Sequence, residues 1–224
     1  MQAVLFDMDG LLIDSERLWF EAETETMAWL AARPGSRWPG GWGPEHQAHL
    51  VGGSLARTVA YMLDLAGPVA PPGAVGELLL AGMSARLRVH VPLRPGAGEL
   101  LAEVRAAGLP CALVSSTHRS VMDHVLAGVG RDSFTVTLAG DEVGNPKPHP
   151  EPYLTAARRL GADPRRCVAL EDSPSGLAAA EAAGCPTVAV PSVVPIPPAP
   201  GRTVVGSLHE VDLRRLGGLV AVGP

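Results

Sequence analysis

The chain has 224 residues, 46% of them hydrophobic and 18% charged, with a formal net charge of -5. That length buries one core, or one core carrying a smaller insert, and the composition is that of a globular protein rather than a disordered one. No segment concentrates Lys and Arg, which argues against nucleic acid or an anionic membrane as partner, and no apolar run approaches the roughly 20 residues that span a bilayer.

The opening MQAVLFDMDG carries acids directly after its first apolar residues, unlike a signal peptide. Residues 3–6 form a short apolar run suited to a buried strand. The stretch 18–89 then holds helical pieces, WFEAETETMAWLAA and SLARTVAYMLDLA, separated by the Gly- and Pro-rich loops GSRWPGGWGP and AGPVAPPGA. It contains no convincing strand and reads as a helical insert. GELLAEVRAAG has helical spacing and ends at Gly108, followed by Pro110. Cys111 to Val114 is a second buried strand and 135–138 a weaker one. A helix is expected from about 152 to 160, ending at Gly161, before a strand over 167–170. PSGLAAAEAAG follows, with Pro174 suited to a first helical turn and Gly184 to a stop. The run 187–190 is a further strand, PSVVPIPPAPGR an extended surface loop, and TVVGSL a last short strand.

Strands alternating with helices predict an α/β fold, a Rossmann-like parallel sheet covered on both faces, with the ligand site outside the C-terminal strand ends. The residues at those ends carry chemistry. The first strand runs into Asp7, Met8, Asp9 and Gly10, the second into Ser115, Ser116 and Thr117, the fourth into Glu171, Asp172 and Ser173. Four carboxylates brought together require compensation, and a hard divalent cation with oxygen ligands, magnesium rather than zinc, supplies it. The hydroxyls and turn N–H groups suit phosphate oxygens, and Lys147, set among prolines in GNPKPHP, adds the fixed positive charge that a phosphate needs. Acids after strands also serve as turn formers and caps. Capping alone does not call for two Asp flanking one residue, an acidic pair on another strand and a lysine between prolines.

DMDGLLIDSE, VSST, NPKPHPEPYL and LEDSPSGLAAAEAAG resemble, in order and spacing, the four motifs of the haloacid dehalogenase (HAD) superfamily, with greatest similarity to its sugar-phosphatase and β-phosphoglucomutase branch. The resemblance implies an α/β core of residues 1–17 and 90–224 and a small helical cap domain of residues 18–89. It also implies a magnesium-dependent phosphatase that hydrolyses a small phosphorylated metabolite, such as a sugar phosphate. Asp7 would be the nucleophile that forms an aspartyl-phosphate, and Asp9 the acid that protonates the leaving alcohol and later activates water. Mg2+ would be held by Asp7, the Asp9 carbonyl and Asp172, with Glu171 as an additional or water-mediated ligand. Ser115 and Lys147 would bind the non-bridging oxygens, helped by the Ser116 N–H. The cap would open and close on hinges near residues 13–15 and 91–95.

Other features carry less. His46 and His49 share a helical spacing but lack a third ligand and read as a surface pair. His118 reads as the residue opening the next helix. Trp19 and Trp29 are expected to pack the core of the insert, with Trp38 or Trp42 turned toward substrate. Cys111, Cys167 and Cys185 are odd in number and widely spaced, so they read as buried free thiols in a cytoplasmic protein. A core with its cap is expected to work as a monomer. A phosphomutase shares the chemistry, but in the β-phosphoglucomutase group a histidine and a cap arginine stand where Trp19 and Leu55 fall here, with Arg57 out of helical phase. A receiver-like signalling domain has no use for the cap or for Asp9 as water activator, and a non-catalytic relative would have lost motif residues that are all present here.

Overall fold

The computed structural model describes residues 1–221. Six parallel strands form one sheet: β1 (Ala3–Phe6), β2 (Cys111–Val114), β3 (Val136–Leu138), β4 (Cys167–Glu171), β5 (Thr187–Ala189) and β6 (Arg202–Val204), in the order β3-β2-β1-β4-β5-β6. Strand β1 is central, with Phe6 registered against Leu113 on one side and Leu170 on the other. The period of two along a strand then sorts the core into two layers. Val4, Phe6, Leu113, Val168 and Leu170 pack under α5 (Ala97–Ala106), α6 (Arg119–Val129) and α9 (Leu213–Ala221). Ala3, Leu5, Ala112, Val114 and Ala169 face α7 (Glu151–Leu160) and α8 (Pro174–Ala182). Both faces are covered, which is why these strands read as continuous apolar runs rather than alternating ones.

Between β1 and α5 the chain inserts α1 (Glu16–Ala31), α2 (Pro44–Leu50), α3 (Leu55–Ala66) and α4 (Pro72–Val89). These helices bury a cluster of their own that includes Met27, Leu30, Val59, Met62, Val75 and Leu79. Helix α4 starts inside a stretch that the Gly- and Pro-rich composition suggests is a loop. Pro72 occupies its first turn, where a missing N–H costs nothing. Helix α1 begins at Glu16, two residues before the expected start of the insert. The two connections between insert and sheet run side by side: Asp14 N–H donates to Pro92 O at 2.8 Å and Arg94 N–H to Leu12 O at 3.0 Å.

Strand β4 extends one residue further than expected, to Glu171, and the last strand falls at Arg202–Val204, one residue upstream of TVVGSL. All three cysteines are buried and free. Among the described residues, no helix is long and apolar enough to cross a membrane.

Candidate active site

Because the strands are parallel, their C-terminal ends share one edge of the sheet, and the chain leaves β1, β2 and β4 carrying candidate functional side chains. Asp7 follows β1 and still belongs to the ladder, its N–H donating to Leu170 O at 3.0 Å. The backbone then turns sharply at Gly10, whose φ of +76° lies in the left-handed region, and a Cβ there would overlap the Asp172 carboxylate. Ser115 follows β2 with its N–H on Leu138 O at 3.0 Å. Glu171 ends β4, and Asp172 and Ser173 lead into α8, whose first turn Ser173 caps through Gly176 N–H at 3.1 Å. A side chain at Gly176 would overlap the Glu171 carboxylate, so glycine is required there for the acid to sit beneath the helix start.

Asp7, Glu171 and Asp172 are buried, and one carboxylate oxygen from each lies within 4.8 Å of the others. Lys147 reaches into this cluster from the loop before α7. Its ammonium donates to Asp7 Oδ1 at 2.6 Å, Glu171 Oε1 at 2.6 Å and Val114 O at 3.0 Å, which uses all three of its protons. Burial presses Lys147 toward neutrality, but the Asp7 and Glu171 carboxylates outweigh it and hold the ammonium above its ordinary range. Burial, then repulsion from Glu171, pushes Asp7 well above the usual carboxylate range, against the pull of Lys147. The same two causes raise Asp172, opposed by a hydrogen bond from Ser192 Oγ at 2.5 Å. Tyr153, its phenol raised by burial and by Glu171, stays protonated and donates to Glu171 Oε1, while Ser173 Oγ reaches Oε2 at 3.3 Å.

These acids form an all-oxygen donor set that suits a hard divalent cation. With protein groups alone, one lysine faces three buried carboxylates, and two of them are driven toward the neutral form; a divalent charge reverses that balance. The residues present therefore fit a divalent metal.

Asp9 stands beside the cluster with both side-chain oxygens engaged. Oδ1 accepts from Ser15 Oγ at 2.8 Å and Trp19 Nε1 at 2.9 Å; Oδ2 accepts from Thr117 Oγ1 at 2.8 Å and Ser115 Oγ at 3.3 Å. Ser116 Oγ is buried with no hydrogen-bond partner among the described residues. Asp7, Asp9, Ser115, Ser116, Lys147 and Asp172 all line one cavity, roofed by the inserted helices. Glu171, fully buried, does not line it and faces Lys147 from behind.

The structure thus brings every expected site residue to one place, with Glu171 as a buried partner of the lysine. Sequence reasoning missed Ser15, Tyr153 and Ser192, and counted Thr117 only among the strand-end hydroxyls suited to phosphate, whereas its Oγ1 donates to Asp9. The tryptophan expectations need correcting. Trp19 lies one turn into α1, close enough to the acidic loop to hydrogen-bond Asp9, and lines the cavity. Trp42 is buried in the insert and donates to Glu23 Oε2 at 3.2 Å, and Trp38 packs edge-on against it. Neither lines the cavity, whereas His118, the residue before α6, does. His46 Nδ1 pairs with Tyr61 Oη at 2.8 Å, so its ring is tied into the insert rather than left on the surface.

A model of haloacid dehalogenase-like hydrolases matches residues 1–184. The chain belongs to this family of enzymes. Hexitol phosphatase B of Escherichia coli is 35% identical over 198 residues, covering 85% of this chain and 83% of that protein. Among solved HAD structures, CbbY from Rhodobacter sphaeroides in complex with phosphate superimposes with a TM-score of 0.84 at 30% identity, covering 96% of this chain and 99% of that one. A CbbY variant from the same organism in complex with xylulose-(1,5)bisphosphate gives 0.82 at 29% identity, with the same coverage.

Proposed function

We propose that the chain is a magnesium-dependent phosphatase that hydrolyses a small sugar phosphate through an aspartyl-phosphate on Asp7. The observation that carries this reading is the shared cavity, where the Asp7 carboxylate, paired with Lys147 at 2.6 Å, stands next to an independently held Asp9. The HAD relatives named as phosphatases support it. Asp7 attacks phosphorus, and splitting the hydrolysis in two replaces one hard step by two easier ones. Asp9 protonates the leaving alcohol and then takes a proton from the water that attacks the phosphorylated Asp7. Its four hydrogen-bond donors hold the carboxylate in place beside Asp7.

Asp7, the Asp9 carbonyl and Asp172 would hold the magnesium ion, which when bound neutralises the phosphate oxygens and offsets the acid cluster. Ser115 and the Ser116 N–H steady the non-bridging oxygens by hydrogen bonds and Lys147, its protons held by protein oxygens, through its positive charge; Ser116 Oγ, otherwise unpartnered, is a further donor. Glu171 and Tyr153 position Lys147. Residues 18–89 form a cap over a core of residues 1–17 and 90–224, closing on the paired connections near residues 13–15 and 91–95. The separate hydrophobic cluster of the insert supports that division. The phosphomutase alternative gains nothing from the site: Leu55 lines the cavity, and Arg57 turns away to donate to His49 O at 2.5 Å.

The test is a screen of phosphorylated metabolites reading released phosphate, with magnesium and with chelator, on the native protein and Asp7→Asn. Magnesium-dependent release that Asp7→Asn abolishes is expected. Release by Asp7→Asn at the native rate would remove the proposed nucleophile.

A further inference from the structure

The cavity has two ends of different chemistry. Asp7, Asp9 and Lys147 form one, with Glu16 at the start of α1 close enough to Asp9 and Asp172 to repel both and held by Gln47 from α2; the inserted helices form the other with Glu23 from α1 and Thr58 from α3. Among the described lining residues, Lys147 is the sole Lys or Arg, and its three protons are committed to Asp7, Glu171 and Val114 O. The far end therefore offers the Glu23 carboxyl, with Glu16 two turns back along α1, and no guanidinium or ammonium.

Glu23 is held there from behind. It is 4% exposed, and Trp42 Nε1 donates to its Oε2 at 3.2 Å. Trp42 is itself fixed by stacking on His46, ring centroids 4.6 Å apart, and His46 is tied to Tyr61. Among the described residues no donor reaches Oε1, and the residue lines the cavity, so that oxygen is left for whatever enters. Glu16 is steadied in the same way by Gln47 Nε2, at 3.2 Å from its Oε2. A rigid carboxyl with a vacant oxygen, in a cavity whose other end is committed to phosphate chemistry, accepts a hydroxyl hydrogen bond and repels an anion. Above pH 7, where Glu23 is ionised, a phosphate at that end would face its charge with no Lys or Arg among the described lining residues to pair it, and burial would strengthen the repulsion.

We propose that Glu23, backed by Glu16 and Gln47, is the specificity-determining residue of this enzyme and selects neutral polyhydroxylated monophosphates over bisphosphates and phosphorylated carboxylic acids. The inference rests on the phosphatase reading. It separates this chain from the CbbY variant of similar fold that was solved with a bisphosphate.

The experiment measures kcat/KM from released phosphate at pH 8, where Glu23 is ionised, with magnesium, for a hexitol monophosphate, a ketohexose 1,6-bisphosphate and 3-phosphoglycerate, alongside p-nitrophenyl phosphate as a reporter without hydroxyls. The native protein is expected to favour the hexitol monophosphate over either anionic alternative by at least about 100-fold, the scale of one like-charge clash together with one lost charge-assisted hydrogen bond. Glu23→Gln is expected to cut that preference about tenfold, and Glu23→Lys to cut it further by supplying the missing cation. Because the preference is a ratio taken on one preparation, it does not depend on how much of a variant folds. Native selectivity below tenfold, or a ratio unchanged in both variants, overturns the inference while the phosphatase reading stands. No release from any substrate, p-nitrophenyl phosphate included, defeats the phosphatase reading and the inference with it.

Discussion

Glu23→Gln also tests, through stability alone, whether this carboxyl is as deeply placed as the geometry states. Burial raises the Glu23 carboxyl from 4.5 to about 7, against the opposing hydrogen bond from Trp42. The folded chain therefore holds a proton between pH 4.5 and 7 that the unfolded chain has released. Stability from this group is complete below pH 4.5, declines as pH rises through that window and stays low above it. At about 1.4 kcal/mol per tenfold change in proton affinity, the penalty above pH 7 is about 3 kcal/mol. Glutamine keeps the shape and an oxygen for Trp42 Nε1 but does not titrate. Glu16, the nearest acid on α1, is itself raised to about 7 by burial, then by Asp9, Glu23 and Asp14, so removing the Glu23 charge relaxes it as well. The variant should gain about 2–3 kcal/mol at pH 8, or roughly 5–10 °C in Tm for a chain of this size, and almost nothing at pH 4.5. Urea and thermal unfolding followed by circular dichroism at the two pH values measure it. A variant no more stable than the native protein at pH 8 would show that Glu23 meets water freely.

Three further outcomes follow from named contacts. Lys147→Met leaves Asp7 and Glu171 buried without their shared cation and should lower stability by about 3–5 kcal/mol in urea unfolding, since breaking a buried pair exposes the full desolvation cost. Trp19→Phe removes one of four donors to Asp9; kcat should fall about tenfold with KM little changed, as read from steady-state kinetics on a good substrate. Ser175 Oγ donates to Gly52 O at 2.5 Å, bridging the insert and α8. A disulfide between Val51→Cys and Ser175→Cys should therefore suppress turnover when oxidised and release it on reduction, and equal rates in both states would refute cap opening.

The sheet was readable because burial on both faces leaves an unmistakable signal. Ala3–Phe6 and Cys111–Val114 are apolar at every position, and Gly or Pro punctuates the helices between them. The strand-end rule then brings Asp7, Ser115 and Asp172 to one edge of the sheet from the sequence alone. Helix α4 is less legible: Pro71, Pro72 and Gly73 look like a loop, and the run behind them, buried on one face at Val75, Leu79, Met83 and Leu87, carries Ala81 and Ala85 on the exposed face, which blurs its period. Site residues that act by contact at a distance in sequence left no local trace. Ser192 lies in a Pro-rich loop, Tyr153 faces inward from α7, and Trp19 looks like any aromatic on an amphipathic helix until α1 is seen to start at Glu16. The placement of Glu16 and Glu23 leaves no local signal either, because it depends on Gln47 and Trp42, which the chain brings over α1 from further along the insert.

The central claim is a phosphoryl group carried by Asp7, and one measurement reaches it directly. Asp9→Asn should still accept phosphate from p-nitrophenyl phosphate, whose leaving group needs no protonation, but should be slow to hydrolyse the adduct. Acid quench and peptide mass spectrometry of that mixture, with magnesium present, should find one phosphoryl group on Asp7. Phosphate released with no adduct at any time point, or an adduct on another residue, would contradict the account.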